Sequence, residues 1–267
     1  MTAIDIQNIT HCYGYQPVLK DISLSIREGT FFTILGPNGS GKTTLMKIIS
    51  GIEKPRQGSV KIIGQPLERY KPKNLARTVA FLPQTISVDF QFTVTELILM
   101  GRAPHQGILG LEDQNDRRAA TEAMRFVGVE HLADRKLDQL SGGERQRVYI
   151  AKAICQEPKI ILLDEPTAFL DLAHQIHIMN LMERLKTEKG VTVVMVSHDV
   201  NLAAMYAECL MLLKDGKIVK TGPPNDVLTG PTLEKTYECL LFIDKSPIGD
   251  FPRVMLVPDR LKALQPR

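Results

Sequence analysis

Residues 36–44, GPNGSGKTT, have the residue types and the spacing of a phosphate-binding loop. The segment fits the pattern G-x-x-x-x-G-K-[ST], in which backbone amides surround the phosphates, the lysine pairs with their outer charges and the hydroxyl reaches magnesium. A chain of this length matches the pattern by chance on the order of 1% of the time. The candidate phosphate-binding residues are Gly36, Pro37, Asn38, Gly39, Ser40, Gly41, Lys42, Thr43 and Thr44.

Two carboxylates, Asp164 and Glu165, follow the apolar run IILL at 160–163. A carboxylate at a strand end beside a phosphate loop can hold magnesium directly or through water, and its neighbour is free to orient and deprotonate an attacking water. Acidic residues at strand ends are common, so the pair is weak evidence alone. Together with the phosphate-binding loop, the pair is strong evidence for a magnesium and water-activating site.

A second candidate anion site lies in LSGGERQR, residues 140–147. Ser141, Gly142 and Gly143 stand where a helix is predicted to begin, since apolar residues then recur with helical spacing. Free amides, a hydroxyl and the positive end of the helix dipole favour an anion there. An ordinary serine-capped helix is the alternative, and this segment alone does not decide between them. The two segments together raise the question of which phosphate a second anion site would bind.

The elements that must position these residues are apolar runs of strand length. The first, FFTIL, leads directly into the phosphate loop, and a helix closed by Gly51 follows. The other predicted strands lie within residues 77–84, 159–166 and 191–199. Such runs, separated by helices, predict an α/β fold with a mainly parallel sheet covered on both faces. Ligands gather beyond the carboxyl ends of such strands, where Gln84, Asp164, Glu165 and His198 fall.

The rest of the chain is organised around this sheet. We predict one domain over residues 1–267, with a helical subdomain inserted at 88–156. LMLLKDGKIVKTG predicts a hairpin around a Lys-Asp-Gly-Lys turn. Residues 225–267 are rich in proline, so we expect a C-terminal extension of short elements.

Composition narrows the classes of function. The formal charge of +3 comes from 33 basic and 30 acidic residues, which is too nearly balanced to favour a nucleic-acid partner. The four cysteines are scattered without metal-ligand spacing, so we expect buried, reduced thiols and a cytosolic protein. No apolar segment is long enough to predict a membrane span.

The ordered series GPNGSGKTT, Gln84, LSGGERQR, ILLDEP, AFLD and His198 resembles the nucleotide-binding subunit of ATP-binding cassette (ABC) transporters. The resemblance covers nearly the whole chain. It implies a P-loop NTPase core with an N-terminal antiparallel β portion and an inserted helical subdomain. It also implies ATP and Mg²⁺ as cofactors, and a head-to-tail homodimer in which LSGG of one subunit closes over ATP held by the other.

The resemblance further implies a role for each site residue. Glu165 would be the general base, His198 would hold the γ-phosphate and Lys42 would complete the catalytic set. Thr43, Gln84 and Asp164 would serve the magnesium ion, and Asp171 would link the two sites. Tyr13 would stack on adenine, with Tyr15 as a rival for that contact.

Two phrases at 94–110 and 165–175, VTELILMGRAPHQGILG and EPTAFLDLAHQ, are similar to the subfamily that energises importers of ferric siderophores, haem and cobalamin. The AFLD wording departs from the commoner small residues of that segment. The expected partners are polytopic permease subunits and, indirectly, an external substrate-binding protein, with the chain peripheral on the cytoplasmic side of the inner membrane. We expect residues 85–110 to dock the permease. The alternatives are an importer for another solute such as molybdate, or a soluble cassette ATPase of iron-sulfur assembly.

Overall fold

The strands and helices that position the site are known for most of the chain, since the computed structural model describes residues 1–84, 91–107, 110–258 and 260. The described strands are β1 (Thr2–Tyr13), β2 (Gln16–Arg27), β3 (Phe31–Leu35), β4 (Gln57–Ile62), β5 (Gln65–Pro66), β6 (Val79–Leu82), β7 (Ile160–Asp164), β8 (Thr192–Val196), β9 (Cys209–Lys214), β10 (Lys217–Gly222), β11 (Leu241–Lys245) and β12 (Pro252–Leu256). The described helices are α1 (Lys42–Ile49), α2 (Pro72–Thr78), α3 (Val94–Leu99), α4 (Gln114–Val127), α5 (Gly142–Cys155), α6 (Leu172–Lys189), α7 (Val200–Tyr206), α8 (Pro224–Val227) and α9 (Gly230–Tyr237).

A six-stranded sheet in the order β10-β9-β3-β8-β7-β6 forms the centre of the fold. Its strands β9, β3, β8, β7 and β6 run parallel. Ile161 and Leu163 of β7 enter one apolar core, and Ile160 and Leu162 enter the core on the opposite face. Because both faces are covered, the strands are apolar at nearly every position, as predicted for residues 31–35, 77–84, 159–166 and 191–199.

The N-terminal antiparallel portion is confirmed as a four-stranded sheet in the order β2-β1-β4-β5. Its buried residues share one core with α1 and with one face of the central sheet. This arrangement places β2 beside the loop that joins β3 to α1.

Helices α3, α4 and α5 lie between β6 and β7 in the chain and pack on the other face of the central sheet. Each begins with a capping box, in which the N-cap side chain and an acidic side chain three residues later satisfy each other's backbone amides. The predicted stop of α4 is confirmed, because Gly128 adopts a left-handed φ of 77°. The boundaries 88–156 and 225–267 stay predictions, and residues 88–90, 108–109, 259 and 261–267 lie outside the described residues.

The predicted hairpin is formed by β9 and β10, which pair antiparallel around Asp215 and Gly216. Both turn residues have positive φ, 49° and 74°, as a tight two-residue turn requires. Beyond the hairpin, α8, α9, β11 and β12 are short, as expected. Asn201 of α7 joins this C-terminal segment, since its side chain donates to the Val254 carbonyl at 3.0 Å and accepts from the Val254 amide at 2.8 Å.

The cysteines are free, but the expectation that all are buried is wrong. Cys155 is buried, Cys12 and Cys209 are partly buried, and Cys239 is exposed. Cys239 lies in the surface connection between α9 and β11. Of the described residues, none forms a helix that is long and apolar enough to cross a membrane.

A buried ion pair fixes α5 relative to β7. Arg102 donates to Asp116 of α4 at 3.0 Å and to the carbonyl of Cys155, the last residue of α5, at 2.9 Å. The same guanidinium pairs with Glu157 at 2.6 Å, three residues before β7 begins. Arg102 and Asp116 are both buried, so one guanidinium connects two helices to the strand that carries Asp164.

Replacement of Arg102 by Met should lower the free energy of unfolding by about 3–5 kcal/mol, because Asp116 would stay buried without its cation. Urea denaturation followed by circular dichroism measures this loss. Arg118→Met is the matched control on α4, since Arg118 and Glu122 form an exposed pair worth less than about 1 kcal/mol. Equal losses in the two variants would contradict the assignment of Arg102 as the connecting residue.

Candidate functional site

The glycine-rich loop joins the end of β3 to the first turn of α1. Lys42 is the first residue of that helix, and its Nζ donates to the carbonyls of Gly36 and Pro37, both at 2.9 Å. Burial lowers the pKa of Lys42, and the nearby carboxylates of Glu165 and Asp164 oppose this shift. A buried ammonium group in a glycine-rich loop at the start of a helix is suited to bind the oxygens of a phosphate group.

Two of the loop's glycines are required by packing alone. A Cβ on Gly36 would lie 2.0 Å from the carbonyl oxygen of Leu213 in β9, and one on Gly41 would lie 2.9 Å from that of Val18 in β2. Both glycines also have positive φ, 152° and 104°. The amide of Gly216 in the β9–β10 turn donates to the Ser40 carbonyl at 3.1 Å. The loop is therefore held by backbone atoms of two separate sheets.

Asp164 ends β7 and is almost wholly buried. Within the described part of the chain, neither of its carboxylate oxygens has a hydrogen-bond partner. Burial raises the pKa of Asp164, although Thr43 and Lys42 lie near enough to oppose part of the shift. A buried carboxylate with two unpaired oxygens beside a threonine hydroxyl fits a hard divalent cation, for which oxygen ligands are preferred.

The side chain of Glu165, at the end of β7, contacts two side chains from the ends of the adjacent strands. Its carboxylate accepts a hydrogen bond from Gln84, after β6, at 2.6 Å and pairs with Nε2 of His198, after β8. The Glu165 backbone is left-handed, with φ of 53°, while its amide donates to Val196 at 3.1 Å. Such a conformation in a non-glycine residue costs on the order of 1–3 kcal/mol and is typical of functional sites.

These residues surround an open cleft of about 720 Å³. Its lining comprises Gln16, Val18, Asn38, Gly39, Gly41, Lys42, Thr43, Thr44, Gln84, Glu165, Ala168, Phe169 and His198. The structure thus brings together most of the predicted loop with Gln84, Glu165 and His198. Gly36, Ser40 and Asp164 are buried beside it, and Pro37 is partly buried.

The sequence reasoning did not identify four of the lining residues, Gln16, Val18, Ala168 and Phe169. Gln16 and Val18 belong to β2, which pairs with β1 and is also bonded to the β9–β10 turn, since the Lys20 amide donates to the Gly216 carbonyl at 2.8 Å. Nothing in their residue types signals this location. Ala168 and Phe169 had a signal, because they belong to the AFLD segment that was already noted.

The second glycine-rich segment is not part of this cleft. Ser141 caps α5, and its hydroxyl and amide both donate to the Glu144 carboxylate, at 2.8 and 2.9 Å. A Cβ on Gly142 would meet nothing within 4 Å, whereas one on Gly143 would lie 2.4 Å from the ring of His174. The segment is therefore a serine-capped helix whose first glycine faces open space. Asp171 is likewise exposed and caps α6.

Tyr13 lies at the end of β1, outside the cleft lining but near Thr44 of the loop. Its hydroxyl donates to the Glu53 carboxylate at 2.6 Å, and burial and this carboxylate raise its pKa. Tyr13 is 47% exposed, whereas Tyr15 is fully exposed.

Comparison with known proteins agrees with this geometry. The profile of the ABC transporter family matches residues 19–168. The ferric enterobactin transport ATP-binding protein FepC of Escherichia coli K12 is 39% identical over 249 residues, which are 93% of this chain and 92% of FepC.

Two solved structures carry the same fold. A metal-chelate type ABC transporter in an inward-facing conformation matches with a TM-score of 0.86 and 30% identity, over 97% of this chain and 99% of the other. A dimeric post-hydrolysis structure of the ATP-binding cassette MJ0796, bound to ADP and phosphate, matches with a TM-score of 0.73 and 34% identity, over 82% and 98% of the two chains. The chain therefore belongs to the ABC transporter family.

Proposed function

We propose that the chain is the ATP-hydrolysing subunit of an importer for metal chelates of the ferric siderophore, haem or cobalamin type. The observation that carries the proposal is the convergence of Lys42, Gln84, Glu165 and His198 on one cleft beside the buried Asp164. FepC, by its name, serves ferric enterobactin transport, and the structure with the highest TM-score of the two compared is of metal-chelate type. The chain would act peripherally on the cytoplasmic side of the inner membrane, beneath permease subunits. An external binding protein would deliver the chelate to those subunits.

The cleft provides for nucleotide and metal together. The loop residues and Lys42 would hold the phosphates, while Thr43, Gln84 and Asp164 would serve a magnesium ion. When bound, that ion would offset negative charge on the phosphates. Burial raises the pKa of Asp164, and a bound cation would favour its charged form. Tyr13 remains our proposal for the adenine contact.

Glu165 is placed to act as the general base. Gln84 and His198 hold its two carboxylate oxygens from opposite sides, so its orientation is defined before any water arrives. A carboxylate fixed beside the phosphate loop can accept a proton from water that attacks the γ-phosphate. With nucleotide bound, Nε2 of His198 would leave Glu165 for the γ-phosphate, and Gln84 would still hold the carboxylate.

Glu165→Gln should lower ATP turnover by roughly 10²- to 10⁴-fold, because the amide cannot accept the proton. ATP binding should remain, since the phosphate loop is unchanged. Steady-state phosphate release and equilibrium ATP binding measure the two effects. Glu68→Gln, an exposed glutamate outside the cleft, is the control and should keep wild-type turnover. Turnover of Glu165→Gln near that of the control would remove Glu165 from this role.

The segment 140–147 would act on nucleotide held by a second copy of the chain. This proposal answers why one chain has two phosphate-binding devices. It is supported by the position of Ser141, Gly142 and Gly143 outside the cleft, by the open space at Gly142, and by the dimeric cassette among the related structures. In a head-to-tail pair, each cleft would be closed by the partner's capped helix.

Mixed dimers of Lys42→Ala and Gly142→Asp should occlude one ATP, although each homodimer should occlude none. Lys42→Ala removes the charge on the phosphates, and Gly142→Asp places a carboxylate at the proposed contact without an internal clash. If the segment acts in trans, both lesions fall in one site and the other site is intact.

Trapped nucleotide is measured on purified mixed dimers that carry Glu165→Gln in both subunits, with dimers bearing only Glu165→Gln as the control. An action in cis would leave one lesion in each site. Control dimers that trap ATP beside mixed dimers that trap none would therefore sink the trans arrangement.

The solute class is tested in the source organism. A strain lacking this chain should lose uptake of iron-labelled siderophore or haem under iron limitation, and the wild-type chain should restore it, whereas Glu165→Gln should not. A tagged chain should co-purify with a polytopic membrane protein. Loss of molybdate uptake instead would favour an importer for another solute. Co-purification with soluble iron-sulfur scaffold proteins, in place of a membrane protein, would favour the alternative without a permease.

A further inference from the structure

His174 lies between the segment 140–147, which the proposed function directs toward the partner subunit, and Asp171, which the family resemblance gives as the link between the two sites. Asp171 is the N-cap of α6, and the segment includes the glycine pair that begins α5. The His174 ring contacts both. We propose that His174 is a positioning residue that keeps Asp171 and the glycine pair in register within one subunit, so that both reach the partner's nucleotide together. This inference rests on the proposed head-to-tail arrangement.

The contact with Asp171 is made by two nitrogens of the same residue. The backbone amide of His174 donates to Oδ1 of Asp171 at 2.9 Å, and ring Nδ1 lies 2.8 Å from both carboxylate oxygens. These two hydrogen bonds lower the pKa of Asp171. Because an ionised carboxylate only accepts, Nδ1 must carry the proton. The pair therefore fixes the orientation of the ring as well as that of the carboxylate.

The opposite edge of the ring lies against Gly143. A Cβ on that glycine would be 2.4 Å from Cδ2 and 2.8 Å from Nε2 of His174, so no other residue fits without displacing the ring. Gly143 is buried, whereas Gly142 is exposed with open space around it. The two glycines thus have different roles: Gly143 admits the histidine ring, and Gly142 leaves the outer surface clear.

The surface around this contact is suited to be covered by a second copy. Phe169 is fully exposed with a left-handed φ of 62°, and Leu172 is 80% exposed. These two apolar side chains flank Asp171 in the chain. Phe169 also lines the nucleotide cleft. A short segment therefore extends from the subunit's own cleft, past two exposed apolar groups, to the ring that abuts α5.

Loss of the ring should affect dimer closure more than nucleotide binding by the isolated subunit. Neither Asp171 nor Gly143 lines the cleft, so the phosphate loop should hold nucleotide without His174. Closure needs both segments at defined positions, and a missing hydrogen bond to a charged group should weaken the ATP-induced dimer about tenfold or more.

Three substitutions separate the two contacts. His174→Asn keeps a donor near the position of Nδ1 but lacks the ring edge at Gly143. His174→Phe keeps a ring there but cannot donate to Asp171, and His174→Ala lacks both features. The control is His177→Ala, an exposed histidine one turn further along α6. All variants carry Glu165→Gln, and ADP affinity, melting temperature and the ATP-induced dimer dissociation constant are measured.

We expect ADP affinity and melting temperature to stay near those of the control in all three variants. The ATP-induced dimer should be weakened most in His174→Ala, with the largest rise in dissociation constant, and less in His174→Asn and His174→Phe. A parent protein that dimerises with ATP, beside a His174→Ala variant that dimerises equally well, would overturn this inference and leave the proposed function standing. Failure of the parent itself to dimerise would overturn both. A parallel loss of ADP affinity and melting temperature in every His174 variant would show a merely structural role and would also overturn the inference.

A double-mutant cycle between Gly143 and His174 tests their contact independently. Gly143→Ala should weaken the dimer because its methyl group meets the ring, whereas the same change in the His174→Ala background should cost little more. Additive effects of the two substitutions would contradict a direct contact between these residues.

Discussion

The close approach of the phosphate loop to the backbone of β9 is the constraint on which the site depends. At Gly36 there is no room for a side chain, because the Leu213 carbonyl occupies its place. At Gly41 the carbonyl of Val18 sets the same limit from the N-terminal sheet. The loop's curvature is therefore imposed by two sheets that meet at this point. A loop held in this way needs little reorganisation to bind a ligand.

Two groups of opposite charge, Lys42 and Asp164, are buried beside this loop. Burial lowers the pKa of Lys42 and raises the pKa of Asp164, so each is disfavoured in its charged form. A phosphate group and a divalent cation would bring the missing counter-charges to the same place. Lys42 and Asp164 already favour each other's charged form, and the ligands would offset more of the desolvation penalty that burial imposes on both.

The elements far from the loop position the outward-facing parts of the molecule. Arg102 connects α4 and α5 to the residues that precede β7, and His174 connects the start of α5 to the start of α6. Through these contacts the capped glycine pair is related to the strand that carries Asp164 and Glu165. A displacement of α5 would alter the contacts of both Arg102 and His174, because packed interfaces shift between discrete arrangements instead of deforming smoothly.

The amino-acid sequence by itself determined the parallel sheet, the phosphate loop and the candidate carboxylates, because these depend on local patterns. Strand-length apolar runs that end in polar residues predict that Gln84, Glu165 and His198 share one edge, and the carboxyl ends of parallel strands make this true. Only the tertiary structure showed that Gln16 and Val18 border the cleft, that Gly142 and Gly143 face different surroundings, and that His174 abuts Gly143. It also showed that Cys239 is exposed. These facts depend on contacts between residues distant in the chain, and residue type and periodicity carry no information about which distant partner a side chain will meet.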